Sequence, residues 1–306
     1  MKNNRVRFVC LVLACVMFLT MAAASSSENS DSQKPLSGSS SGNTSENNSG
    51  EESSAETVQD ITIEEQVLFD RDGIVVTAKE FSHDSIWGDS IKLLVENNRD
   101  ENVTVSCRNL IVNHYMVSNL FSCEVAAGKK VNKELSLPSS DLKKAGISTV
   151  SEVEASFNVY NSDNWDDIFN TDLICIQTSA YGQVEYKAEE SGKELFNNGE
   201  IRIVGKYVDE DDFWGAAIQL FIENNSAQTI VVHARDFSVN GYMLTPLFSS
   251  TVFPGRMAID DITLFSSEME ENGIESIEEV ELTFHITDES YFNTIADSEP
   301  ITFTID

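Results

Sequence analysis

Hydrophobic and polar side chains alternate with a period of two through most of this chain. The run Asp89-Ser-Ile-Lys-Leu-Leu-Val-Glu-Asn97 sends every second side chain to an apolar face, as a half-buried strand does. Further strands are expected over Gly73–Phe81, Asn102–Val112, Met116–Val125, Lys130–Leu137, Ser151–Tyr160 and Asp172–Thr178. Asn-Asn, Asn-x-Tyr, Ala-Gly and Ser-Ser turns separate them at spacings typical of an all-β sandwich. A helical turn interrupts the pattern from Ser139 to Gly146. Serine at its N-cap, acid in its first turn and glycine at its end give it both boundaries.

The whole pattern is written twice. Adding 127 to a residue number in the first half lands on its counterpart in the second, without a gap from Phe69 to Thr178. Trp87-Gly88 returns as Trp214-Gly215, Glu96-Asn97-Asn98 as Glu223-Asn224-Asn225, and Leu120-Phe121-Ser122 as Leu247-Phe248-Ser249. Asn113-His-Tyr115-Met116 returns as Asn240-Gly-Tyr242-Met243, and the helical turn as Ser266–Gly273. The expected organisation is a β-sandwich over 59–180, a short charged linker over 181–191 and a second β-sandwich over 192–306, each an immunoglobulin-like domain with one helical turn between strands.

In the first copy, a strand ending in Glu-Asn-Asn precedes Asn-x-Tyr-Met, then Ala-Gly-Lys before the next strand, then Asp-Leu-x-x-x-Gly-Ile. This succession resembles a family of immunoglobulin-like extracytoplasmic domains found in uncharacterised lipoproteins and surface proteins of Gram-positive bacteria. The second copy departs from it at Phe253-Pro254-Gly255-Arg256, a change confined to one turn. The resemblance implies a surface location and an adhesion or ligand-binding role, and it carries no catalytic residue.

The N-terminus agrees with such a location. Lys2, Arg5 and Arg7 precede an apolar run from Phe8 to Ala24, and Ala22-Ala23-Ala24 supplies the small residues of a cleavage site before Ser25. Residues 1–24 therefore read as a signal peptide. Two alternatives stay open: an uncleaved anchor, since about 17 apolar residues just span a bilayer, or lipidation at Cys15 after Val12-Leu13-Ala14. Residues 25–58 are nearly all Ser, Asn, Gly, Glu and Ala, too polar to offset the entropy of ordering, and read as a disordered tether. Asn43 and Asn47 match the glycan acceptor pattern.

Charge narrows the partners. With 20 basic against 51 acidic residues the formal net charge is −31, opposite to what counterion release from nucleic acid requires. An anionic bilayer surface repels such a chain too, so membrane attachment would come only through the N-terminus.

The repeat also tests for chemistry, because a residue kept in both copies is either scaffold or a site present twice. No histidine passes: the counterparts of His83, His114, His233 and His285 are Glu210, Gly241, Ser106 and Asn158. No His-x-x-x-His or Cys-x-x-Cys is present, and Gly38-Ser39-Ser40-Ser41-Gly42, which matches Gly-x-Ser-x-Gly, lies in the Ser-rich tether and makes no nucleophile elbow, so no metal site, cofactor or nucleophilic triad is expected. Acidic pairs such as Asp166-Asp167 and the cluster Asp209-Glu210-Asp211-Asp212 read as solvated loops, with calcium at the cluster as the minor alternative.

Two shared features are candidate surfaces: Trp87 and Trp214 in the connection between the first two long strands, and Tyr115 and Tyr242 beside the Asn-x-Tyr turn. The competing account buries these rings over the ends of the cores. Asn113 and Asn240 are expected to brace their turns, and Arg108 and Arg235 to pair with Glu152, Glu154 or their counterparts. Cys107 and Cys123, on successive expected strands and both missing from the second copy, are a possible disulfide, with buried free thiols as the alternative. The sequence thus points to a non-catalytic surface module recognising a protein or glycan. The alternatives are a structural envelope spacer and, behind it, a hydrolase using carboxylates in a cleft between the domains.

Overall fold

The computed structural model describes residues 33–35, 61–84, 88–184, 191–212 and 214–305. The expected signal peptide, Cys15, Asn43, Asn47 and Trp87 lie outside them. After a short β1 (Gln33–Pro35), the first copy contains β2 (Gln66–Arg71), β3 (Ile74–Asp84), β4 (Gly88–Asn97), β5 (Val103–Val112), β6 (Tyr115–Val117), β7 (Ser122–Val125), β8 (Lys130–Leu137), α1 (Ser139–Lys144), β9 (Glu152–Asn161), β10 (Asp167–Asn170) and β11 (Ile174–Gln177). Strands β2-β3-β4-β8 form one sheet; β6-β5-β9-β10 form the other, with β7 on β5 and β11 on β9. The inward residues of both sheets, among them Val76, Leu93, Leu135, Leu110 and Phe157, close a single apolar core.

The second copy repeats this with β12 (Lys193–Asn197), β13 (Ile201–Asp212), β14 (Gly215–Asn224), β15 (Ile230–Val239), β16 (Tyr242–Met243), β17 (Ser250–Val252), β18 (Arg256–Phe265), α2 (Ser266–Glu271), β19 (Glu279–Thr287), β20 (Thr294–Asp297) and β21 (Ile301–Thr304). Its core holds Ile203, Leu220, Leu282 and Phe284. The chain is an all-β pair of two-sheet sandwiches.

Local differences from the sequence reading have physical causes. The expected strand Met116–Val125 is two strands, because Asp141 accepts hydrogen bonds from the Ser118 N–H and hydroxyl (2.8 and 2.7 Å) and draws the intervening residues off the sheet. Ser139 and Ser266 do not cap their helices; the extended residues before them, Pro138 and Phe265, occupy that position. The glycine ends hold: Gly146 and Gly273 sit at φ 66° and 68°. Ile147 and Ile274 donate back to the carbonyls of Leu142 and Met269, closing a Schellman turn in each copy. Within the tether, Gln33–Pro35 are not free: they pair with Tyr207–Asp209, on the edge that β13 shows once β12 has ended at Gly205.

A parallel pairing of β6 with β18, Tyr115 opposite Met257 and Met116 opposite Ala258, joins the second sheet of the first copy to the first sheet of the second. Tyr115, Val204, Phe221 and Met257 form a small third apolar cluster there, flanked by Ala145, Ile147 and Ile259. Burial records the consequence. β4 alternates buried and partly exposed side chains, whereas its counterpart β14 is buried on both faces for most of its length.

Candidate functional site

The joint decides the fate of the shared tyrosines. Tyr115 is only 6% exposed, its ring edge-on to Phe221 at 6.5 Å, so it is a joint residue and not a free binding surface. Tyr242, its counterpart, is not covered by any described residue of the other copy; Tyr242 and Met243 are both exposed. Trp214 also faces solvent, at 59% exposure. Its backbone is fixed on both sides: the N–H bonds Asp212 Oδ2 at 3.1 Å and the carbonyl accepts the Ser266 N–H at 2.9 Å.

Sequence reading passed over a second aromatic pair. Trp165, in the turn between β9 and β10, is 74% exposed, and its counterpart Phe292, between β19 and β20, is 91% exposed. Trp165 stacks on Tyr160 with centroids 5.4 Å apart, which fixes one face and leaves the other open. The signal was available, since both copies place an aromatic at this turn among polar neighbours.

The repeated asparagines are scaffold. Asn113 and Asn240 adopt φ of 47° and 50°, a region asparagine tolerates better than most residues. Each side chain donates to a carbonyl at 2.7 Å, of Thr149 or Ser276, and accepts from two successive backbone N–H groups, of Ser151 and Glu152 or of Glu278 and Glu279. Asn97 and Asn224 are buried likewise and donate to the carbonyls of Val125 and Val252 at 2.9 Å.

No family model and no curated protein matches the chain. Solved structures are similar to the chain, two of them as follows. The Salmonella enterica SafA pilin in complex with the SafB chaperone is 11% identical at a TM-score of 0.21, covering 71% of this chain and 89% of that one. A Porphyromonas gingivalis protein of unknown function is 12% identical at a TM-score of 0.20, covering 70% and 89%.

The charged groups settle other expectations. Arg108 does not reach Glu152 or Glu154: it is the extra residue of a bulge in β5 and faces solvent, as Arg235 does beside the matching bulge in β15. The glutamates have other partners. Glu152 meets His114 Nε2 at 3.0 Å, and Glu154 accepts Nε and Nη2 of Arg256, from the other copy, at 2.8 Å each. Cys107 and Cys123 are not bonded, because the register sets Val105 opposite Cys123 and leaves the two cysteines diagonal. Burial pushes the Cys107 thiol up to about 12 and raises Cys123. Burial, with Glu152 and Glu154, lifts Cys175 to about 11.

Two histidines that the sequence shows apart are cross-strand partners. His233 on β15 lies opposite His285 on β19, ring centroids 6.3 Å apart, with Tyr291 5.7 Å from His233. Burial, then the neighbouring His285 and Arg235, lowers the pKa of His233, while His285 Nδ1 bonds Asp297 at 2.6 Å. Among the described residues no three His, Cys, Asp or Glu gather as metal ligands; the side chains of Glu210 and Asp211 are outside them.

Two hollows remain. One of about 260 Å³ lies where the copies meet, lined by Met116, Asp141, Lys144, Ile259, Asp260 and Asp261 among others. Burial raises the pKa of Asp260 against a hydrogen bond from the Ser250 hydroxyl, and Asp261 and Asp141 add to the rise. Lys144 pairs with Asp261. The larger hollow, about 750 Å³, runs along β8 of the first copy beneath Ser118–Phe121 and is bordered by Asn132, Lys133, Glu134 and Ser136. In the second copy the corresponding loop closes onto its strand, with Leu247 and Thr263 exchanging both backbone hydrogen bonds at 2.9 and 3.1 Å. In the first copy Leu120 stands fully in solvent, and the buried Asn119 Oδ1 has no hydrogen-bond partner among the described residues.

Proposed function

We propose that this chain is an exported bacterial surface protein whose two immunoglobulin-like domains recognise a protein or glycan without catalysis. The basic and apolar N-terminus, the acidic surface and the polar tether support export and display. One observation carries recognition: Trp165 and Phe292 stand in solvent at equivalent turns, and Trp214 beside the start of α2. Rings left in water at matched positions contribute nothing to either core, and open aromatic faces on braced turns are common anchors for sugars and proteins. A spacer without a ligand has no use for them. A screen of the chain against glycans and surface proteins, repeated with Trp165→Ala, Trp214→Ala and Phe292→Ala, tests this. Loss of about tenfold in affinity per anchoring ring, with the fold intact, is expected. Undiminished binding by the triple variant would remove these rings from the site. The mass of the N-terminus recovered from membranes tests cleavage before Ser25 against lipidation at Cys15.

The hollow between the copies favours a second reading, the hydrolase. A carboxyl with a raised pKa, as at Asp260, suits general acid work. Each carboxylate there already has a partner within the chain, Ser118 for Asp141, Ser250 for Asp260 and Lys144 for Asp261, which counts against it. Hydrolysis of any glycoside or ester that Asp260→Asn abolishes would establish this reading over the first.

A further inference from the structure

The joint inside the chain is head-to-tail: one copy offers its β6 edge and the next offers the edge of β18. Contacts of this kind do not close on themselves, so among the described residues each end of the pair keeps one half unpaired. At one end is β16, the counterpart of β6, with Tyr242 and Met243 exposed. At the other is β8, the counterpart of β18, which ends its sheet with the hollow and solvent-exposed Leu120 beside it.

We propose that the β16 edge of one molecule docks on the β8 edge of a second copy, repeating between molecules the joint made within one. This goes beyond the recognition read from Trp165, Trp214 and Phe292 and gives the exposed Tyr242 end a partner. Moving the internal register by the repeat sets Tyr242 opposite Lys130 and Met243 opposite Val131.

The charges move with it. The Glu154–Arg256 pair becomes Glu281 with Lys129, so its sign is kept. Lys144–Asp261 becomes Glu271 with Glu134, which repel, but Lys133 takes the place of Asp260 next to them. In a chain so poor in bases, Lys129, Lys130 and Lys133 cluster on this edge, while Glu268, Glu270, Glu271, Glu278, Glu279 and Glu281 surround the β16 end. The apolar receptor is only partly rebuilt: Leu94 replaces Phe221, but Thr77, Lys130 and Asn132 replace Val204, Met257 and Ile259. Tyr242 would lie on Leu94 and on the lysine stems. The contact is therefore electrostatic where the internal one is apolar, weaker and sensitive to salt.

Sedimentation of the purified chain over a range of concentrations, at low and high salt, tests this. The expected result is a mean mass that grows past the dimer at low salt and falls back at high salt. Reversing Lys129, Lys130 and Lys133 to Glu lowers the association constant by about tenfold or more, as does Glu271→Lys with Glu281→Lys. Mixing the two variants restores it. A monomer at every concentration overturns the proposal, as does association that survives both reversals. Loss of a soluble ligand on removing Trp165, Trp214 and Phe292 from a strictly monomeric chain would leave recognition standing while this inference falls.

Discussion

Arg256 of the second copy grips Glu154 of the first through two parallel hydrogen bonds of 2.8 Å, with both side chains largely withdrawn from water. A fork of this kind fixes direction as well as distance. It holds the short β6–β18 pairing in place from the side. Arg256→Ala is expected to cost about 1–2 kcal/mol, because Glu154 then keeps its charge in a half-dry place. Denaturant unfolding of the two single variants and the double variant with Glu154→Ala measures it, and a coupling near zero would remove the pair from the joint.

Phe221 and Leu94 occupy one position of the repeat in opposite surroundings. Phe221 is fully buried under the first copy, while Leu94 is half-exposed. Phe221→Ala should lose about 3–5 kcal/mol and Leu94→Ala about 1 kcal/mol. Equal losses on thermal unfolding would mean that the outer face of β14 is not covered in solution.

The asparagine clamps make a sharper comparison. Asn113→Ala must hold a left-handed backbone and abandon three hydrogen bonds, a loss of about 2–4 kcal/mol; Asn113→Gly gives up the bonds but not the conformation and should lose about 1–3 kcal/mol. Asn240 should follow the same order. A glycine variant less stable than the alanine one would contradict the geometry.

His233 makes the second copy sensitive to acid. Its folded pKa is lowered, so the native state resists protonation more than the unfolded chain does. The stability it contributes is complete above the ordinary imidazole value of about 6.5 and is lost as pH falls through the lowered folded value. His233→Gln should flatten the stability–pH curve over that window, and an unchanged slope in urea titrations would count against it.

Thiol titration reports on the cysteines. Unfolded without reductant, the chain lacking residues 1–24 should show Cys107, Cys123 and Cys175 all reactive. In the native state at pH 8 all three should react slowly, since even Cys175, the most exposed, holds only about 0.1% thiolate at its raised pKa. A single reactive thiol after unfolding would restore the Cys107–Cys123 bond.

Much of this fold is legible because its signals are local and occur twice. Period-two alternation marks Phe157 and Phe284 as inward, and both are fully buried. The Gly-Ile pairs after the helices predict the turns that close them. Contacts between distant segments are less legible. His233 and His285 meet only through the β15–β19 register, and the cysteine register could be read only once β7 was separated from β6. The joint left a trace that is clear in retrospect: Ala217 and Phe221 stand in β14 where β4 has Ser90 and Leu94, turning a half-buried strand into a doubly buried one. Tyr115 and Tyr242 are the same residue in the repeat, so no local pattern distinguishes the buried ring from the exposed one.

The covered face of β14 also gives the two copies unequal independence. Taken alone, the first would present lysine and asparagine along β8, whereas the second would bare Val204, Phe221 and Met257 to water. Translation delivers the first copy ahead of the second. The surface that covers the apolar face of β14 is therefore made before the strand that needs it.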